Sequence, residues 1–230
     1  MFEISEKRAL DPKLVNLLKP NSTYAESYQR LRLSVESSRN RDEGVVVAIA
    51  SPVKGEGKTL TAINLAAALA QNPAHKVLLI DLNLRPTQNS IKEYLGIQKW
   101  RAPGVVENVL GKAIDWDQLA QTMPALNLHF MPSGQQAQSP YEILNSGKMG
   151  EMVAEARRRY DFVILDTAAV TLFADTQLIS PLVDKFVVLV AAGETSKKQL
   201  GDCLNLMPPD KVMGLVINSS KKTGGGDYAV

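Results

Sequence analysis

The chain has 230 residues, a net charge of +2 and an apolar fraction of 45%. That length suits one α/β domain with a large core, and the near-neutral charge balance selects neither nucleic acid nor an acidic partner. A single cysteine, Cys203, excludes an internal disulfide and fits a reducing compartment.

The opening MFEISEKRAL lacks the apolar core of a signal peptide. No apolar run reaches membrane-spanning length. The expectation is a cytoplasmic protein that reaches a membrane only through a protein partner. Residues 1–22 read as a polar arm broken by Pro12, Pro20 and Asn21. A helix is expected from Thr23 or Tyr24 to about Arg39. Ser22 or Thr23 can cap it, and Glu26 lies three residues after Thr23, as in a capping box.

Gly44–Ala50 (GVVVAIA) is a short apolar run of the kind buried on both faces of a parallel sheet. SPVKGEGKT follows, then the uncharged, Ala- and Leu-rich LTAINLAAAL. Strand, Gly-rich loop and helix in that order form a phosphate cradle: inward-turned backbone N–H groups join the positive end of the helix dipole. Lys54, Gly55, Glu56, Gly57, Lys58, Thr59 and Leu60 are the expected nucleotide-binding residues. Lys58 would place a charge on the β- and γ-phosphates, and the Thr59 hydroxyl would ligate Mg²⁺. Pro52 stands where the strict pattern opens with glycine, so the competing reading is an ordinary Gly-rich turn with a solvated lysine.

Lys76–Ile80 is a second buried strand ending at Asp81. In an open parallel sheet, ligands gather at the carboxyl ends of strands, so Asp81 is placed for Mg²⁺ or proton chemistry; otherwise it is a cap. Residues 87–124 are turn-rich, with short helices expected at Gly104–Leu110 and Asp115–Gln121. Leu126–Met131 is a strand, Pro140 starts a helix, and Ser146–Tyr160 is helical. Its closing Arg157, Arg158 and Arg159 fit a solvated last turn that complements the helix dipole. Phe162–Leu165 is a buried strand closing on Asp166, the usual second carboxylate of a phosphate-loop site, which holds Mg²⁺. Lys185–Ala191 is a strand, Thr195–Met207 a helix carrying a buried Cys203, and Val212–Asn218 a last strand. The Asn218 amide could read an adenine edge or simply make a turn. The tail 221–230 holds GGG and Tyr228 and is expected to be flexible. The alternation predicts an α/β fold: a P-loop NTPase with a mostly parallel central sheet and helices on both faces.

These residues resemble the cytoplasmic bacterial tyrosine kinases of polysaccharide export, the BY-kinases, within the deviant-Walker P-loop superfamily. The resemblance runs from about Tyr24 to Ser220. GEGKT with TAINLA matches the family's first Walker motif. LLIDLNLRP resembles its DxDxRxP motif through Asp81, Arg85 and Pro86, and DFVILDT its second Walker motif through Asp166. MPSGQQAQSPYEIL, Ala174-Asp175 and VMGLVIN also fit, and ESYQRLR resembles an ExxRxxR oligomer motif carried by Glu26 and Arg32. Asn83, Gln29, and Ala168 with Ala169 depart from the pattern, and the tail has one tyrosine where relatives carry a cluster.

The resemblance implies an ATP- and Mg²⁺-dependent tyrosine autokinase with Lys58, Asp81 and Asp166 catalytic and Thr59, Asp81 and Asp166 at the metal. It further implies Tyr228 as a phosphosite and self-association through the N-terminal helix, so that residues 1–40, 41–220 and 221–230 are oligomer arm, kinase domain and tail. It implies a membrane-bound chain-length (co-polymerase) partner and control of exopolysaccharide or capsule export. The alternatives are a catalytically degenerate regulatory module, and a partitioning or positioning ATPase. The latter's signature lysine falls at Val53.

Overall fold

The computed structural model describes residues 11–39, 43–85, 90–97, 102–111, 114–123 and 126–218. Seven strands form one sheet: β1 (Val45–Ala50), β2 (Val77–Asp81), β3 (Gln121–Met123), β4 (Leu128–Met131), β5 (Phe162–Asp166), β6 (Lys185–Ala191) and β7 (Val212–Asn218). Their order is β3-β4-β2-β5-β1-β6-β7, parallel throughout except for the β3–β4 pair at one edge.

The apolar runs that form the inner strands hide a strict alternation. Val46, Ala48, Ala50, Leu78, Ile80, Val163, Leu165, Phe186 and Val188 face one core. Their neighbours Val45, Val47, Ile49, Val77, Leu79, Phe162, Ile164, Val187 and Leu189 face the other. Successive side chains point to opposite faces of a strand, so a run apolar at every position must be covered on both sides. The first face is covered by α5 (Val105–Val109), α6 (Trp116–Leu119), α7 (Pro140–Leu144), α8 (Gly147–Arg159), α9 (Asp175–Ile179) and α10 (Lys197–Asn205). The second is covered by α1 (Val15–Leu18), α2 (Thr23–Ser37), α3 (Lys58–Ala70) and α4 (Ile91–Tyr94).

Several expectations need correcting. The helix expected over Asp115–Gln121 stops at Leu119; Ala120 is extended and Gln121–Met123 pairs with β4. Ser22, not Thr23, caps α2 by accepting from the Ala25 amide, so Ala25 and not Glu26 occupies the third helical position. Residues 11–19 are not a detached arm: Leu14 is fully buried and α1 packs on α3. Of the three arginines closing α8, Arg157 is tied to the Asp184 carboxylate at 2.6 Å and the Gly44 carbonyl at 3.1 Å, while Arg158 and Arg159 pair with Glu155. Among the described residues no helix is long and apolar enough to cross a membrane. Tyr228, Pro86 and the tail lie outside the described residues.

Candidate functional site

β1, α3, β2 and β5 bring the three sequence motifs to one end of the sheet. β2 and β5 are parallel neighbours in a register that sets Asp81 beside Asp166. The parity of their strands turns both carboxylates to the α3 face, where α3 begins at Lys58. Asp166 is 1% exposed and Asp81 4%. Burial pushes Asp81 up to about 6, against the Asn83 amide, Lys92 and the Ser133 hydroxyl, which favour its charged form. Burial and then the adjacent Asp81 push Asp166 up to about 7, against the nearby Thr59 hydroxyl and Lys58.

The phosphate loop is open for a ligand. The N–H groups of residues 54–60 donate to no described residue, and Gly55 and Gly57 take φ of 87° and 91°. The Lys58 ammonium is buried and donates to Ser51 Oγ at 2.8 Å, and desolvation lowers its pKa. A cavity of about 600 Å³ opens here, lined by the loop, by Ala168 and Ala169 after β5, and by Asn83, Arg85 and Tyr94. The loop after β5 holds the cradle in shape. Val170 N–H donates to the Ser51 carbonyl at 3.0 Å and Thr171 Oγ1 to the Pro52 carbonyl at 2.7 Å.

A divalent cation fits this donor set. Asp166 Oδ1 is buried with no hydrogen-bond partner, beside a second buried carboxylate and a threonine hydroxyl. Two carboxylates, a hydroxyl and the phosphate oxygens of a nucleotide are the hard oxygen ligands that Mg²⁺ takes. Among the described residues no group of three or more His, Cys, Asp or Glu forms a self-sufficient metal cage.

Comparison with known proteins gives the family and the fold. A family model described as an AAA domain matches residues 44–207. The tyrosine-protein kinase YwqD of Bacillus subtilis is 30% identical over 221 residues, covering 94% of this chain and 89% of YwqD. The chain belongs to this bacterial tyrosine-kinase family. The succinoglycan biosynthesis transport protein ExoP of Rhizobium meliloti is also 30% identical, but the chain spans only 27% of its length. The kinase domain of the Escherichia coli tyrosine kinase ETK has the same fold, with a TM-score of 0.84 at 22% identity over 98% of this chain and 87% of that one.

Several family positions are engaged within the chain. The Glu56 side chain is turned away from the cavity: it accepts from the Val53 amide at 3.0 Å and from the Thr195 hydroxyl. Any contact of Glu56 with a nucleotide would therefore run through its backbone. The Asn218 amide donates to the Glu56 carbonyl at 3.0 Å, which makes it a strut of the phosphate loop. Arg85 is held bidentately by the nearly buried Asp175, and its guanidinium lies 4.0 Å from the Phe173 ring centroid. Lys54 lies over the same ring at 5.4 Å.

The oligomer motif is also partly engaged within the chain. Arg32 pairs with Glu36 and donates to the Ala68 carbonyl at 3.1 Å, and Gln29 bonds Gln71, so both dock α2 on α3. Glu26 is exposed on the same side of α2 as the exposed Leu33, seven residues on. Ser51, Thr195, Phe173 and Lys13 surround the site without having been singled out in the sequence. Only Ser51 carries a local signal, as the residue between β1 and the glycine loop.

The strut makes Gly57 sensitive. A Cβ there would stand 2.3 Å from Asn218 Nδ2, at a φ that side chains rarely adopt. Gly57→Ala is expected to weaken nucleotide affinity about tenfold by calorimetry, the scale of one strained backbone position. Gly201→Ala, with nothing within 4 Å of the added methyl, is expected to leave affinity unchanged. Equal affinities in the two variants would contradict the strut.

Proposed function

We propose that the chain is an ATP-dependent protein-tyrosine kinase acting on tyrosines of its own family of chains, with Mg²⁺ as its metal. The observation that carries this reading is the pair Asp81 and Asp166, buried in register beside the Thr59–Lys58 turn. Thr59 and Asp166 would hold the metal, with Asp81 as its further partner or as base. When bound, the ion would offset charge on the nucleotide phosphates.

The residues of the chain divide the remaining work. The open amides of residues 54–60 cradle the phosphates, and Lys58 stabilises charge on the transferred phosphoryl group. Asp81, where it is not taken up by the metal, would accept the proton of the attacking phenol. Asn218 keeps the loop in shape and lies where an adenine contact is expected. Ala168, Ala169 and Phe173 line the cavity in which the phenol would sit.

In this reading the kinase regulates exopolysaccharide or capsule polymerisation and export, as the names of its relatives suggest. The length of ExoP beyond the matched region supports a membrane-bound co-polymerase as partner, which would hold this chain at the inner face of the plasma membrane. Self-association would use the exposed face of α2 around Glu26, with Arg32 setting the angle of that helix. A second reading, a regulatory module that binds nucleotide without transfer, is favoured by Asn83, a neutral residue lining the cavity where the family carries an acid.

The two readings part at Tyr228. Incubation with Mg·ATP and the partner's cytoplasmic segment is expected to place a phosphate on Tyr228, read by mass spectrometry, and none in Tyr228→Phe or Asp166→Asn. Nucleotide binding with no tyrosine modified would leave the regulatory module standing.

A further inference from the structure

We propose that Lys13 is a specificity-determining residue of the acceptor subsite, selecting tyrosines that have an acidic residue on their N-terminal side. The inference rests on the kinase reading and extends it to the substrate class.

Lys13 reaches the site on a segment that the fold fixes with unusual care. Asn16 and Asn64 are 5% and 0% exposed. The Asn16 amide N–H donates to Asn64 Oδ1 at 3.1 Å, and Asn16 Nδ2 donates to the Asn64 carbonyl at 3.0 Å. Asn64 Nδ2 in turn donates to the Lys13 carbonyl and the Leu60 carbonyl, each at 3.1 Å. The half-buried Tyr28 hydroxyl of α2 interacts with Thr61 and Asn64 of the same cluster. Burying two amides is costly, and Asn16 Oδ1 is left without a partner, so this cluster fixes position more than it adds stability. What it fixes is residues 13–16 against the second turn of α3, one turn beyond Lys58 and Thr59.

From that anchor Lys13 lines the same cavity as Lys58 and Thr59. The cations there have different commitments. Lys58 lies within the phosphate cradle, Arg85 is neutralised by Asp175, and Lys54 belongs to the phosphate loop. Lys13 belongs to no nucleotide-binding element, is exposed, and makes no ion pair among the described residues. Two aromatic rings, Tyr94 and Phe173, line the cavity with it, and the Asp11 amide holds the Tyr94 carbonyl at 3.2 Å. Phe173 is faced by Arg85 and Lys54, so Tyr94 is the ring left to meet a phenol, and Lys13 on the same cavity wall is the cation left to meet a neighbouring carboxylate. The chain's own tail tyrosine has that sequence: Asp227 directly precedes Tyr228, after three glycines.

The test is transfer from radiolabelled ATP, by the full chain with its partner's cytoplasmic segment, to the peptides GGGDYAV, GGGNYAV and GGGKYAV. The wild type is expected to favour the aspartate peptide over the asparagine peptide about fivefold in kcat/KM, the size of one partly exposed ion pair. Lys13→Ala should erase that preference, and Lys13→Glu should invert it in favour of the lysine peptide. Calorimetric affinity for Mg·ATP should stay within about twofold in both variants, as expected for a rim charge away from the phosphate cradle.

The same aspartate preference in wild type and Lys13→Glu would overturn the inference and leave the kinase reading intact. So would a loss of ATP affinity matching the loss of transfer, which would make Lys13 a phosphate ligand. A wild type that binds Mg·ATP yet labels none of the peptides and not Tyr228 would remove the kinase reading, and this inference with it.

Discussion

Lys58→Met is expected to lower Mg·ATP affinity about a hundredfold, the scale of a charge-assisted hydrogen bond lost in a buried site. Lys58 is 8% exposed, and its ammonium is held at 2.8 Å by Ser51 Oγ beside the open amides of the loop. Methionine fills the stem volume but brings neither charge nor donor. The fold should survive the change, because burial already disfavours the charged ammonium. Replacing a buried charge with an apolar group of similar shape is often neutral for stability. An unchanged melting temperature with lost nucleotide binding is the expected pair of results. Unchanged affinity by calorimetry would mean that Lys58 does not face the phosphates.

Asp166→Asn is expected to lower phosphoryl transfer at least about a hundredfold, the loss of one metal-holding carboxylate, while stabilising the ligand-free protein at pH 8. The sign follows from the raised carboxylates. Asp81 and Asp166 have folded values of about 6 and about 7 against an ordinary 3.8. Between those limits the folded protein binds more protons than the unfolded chain. Their favourable contribution is therefore complete below pH 3.8 and is lost as pH rises through 6 and 7. At pH 8 two like charges lie side by side in the core, only partly offset by Lys58 and Lys92. Asparagine at 166 removes one of them, for a gain of about 2 kcal/mol, or roughly 5 °C in melting temperature. At pH 5 the gain should shrink. A variant less stable than wild type at pH 8 would contradict the account of the carboxylate pair.

The fold and the centre of the site were legible because they rest on local patterns. Apolar runs closing on Asp81 and Asp166, and a glycine loop opening an uncharged helix, report strand, loop and helix directly. The walls of the site were not legible, because long-range contacts make them. Thr195 meets Glu56 and Asn218 meets the same residue's carbonyl from the far side of the chain. Asn16 reads as a polar residue in an arm until it is seen against Asn64. Arg32 fits an oligomer motif by spacing, yet its guanidinium faces α3 because Glu36 and the Ala68 carbonyl lie within its reach. β3 is three residues long and depends on β4 for its partner, so no periodicity announces it.

This division also explains why the departures from the family motifs leave the architecture intact. Pro52, which departs from the strict glycine-first loop pattern, sits where Thr171 and Val170 hold the loop from the segment after β5. Ala168 and Ala169 are buried and line the cavity floor without altering the strand before them. Asn83 keeps its backbone bond to Asp81 Oδ1 at 3.3 Å while giving up a negative charge beside the two carboxylates. That loss eases crowding of like charges around the Asp81–Asp166 pair.

The most direct test of the account follows the terminal phosphoryl group of labelled ATP in the full chain with Mg²⁺ and the partner's cytoplasmic segment. Alkali-stable label on protein tyrosine, absent in Lys58→Met and Asp166→Asn, is the predicted result. Label released only as inorganic phosphate, with no tyrosine modified, would contradict it and make the chain an ATPase.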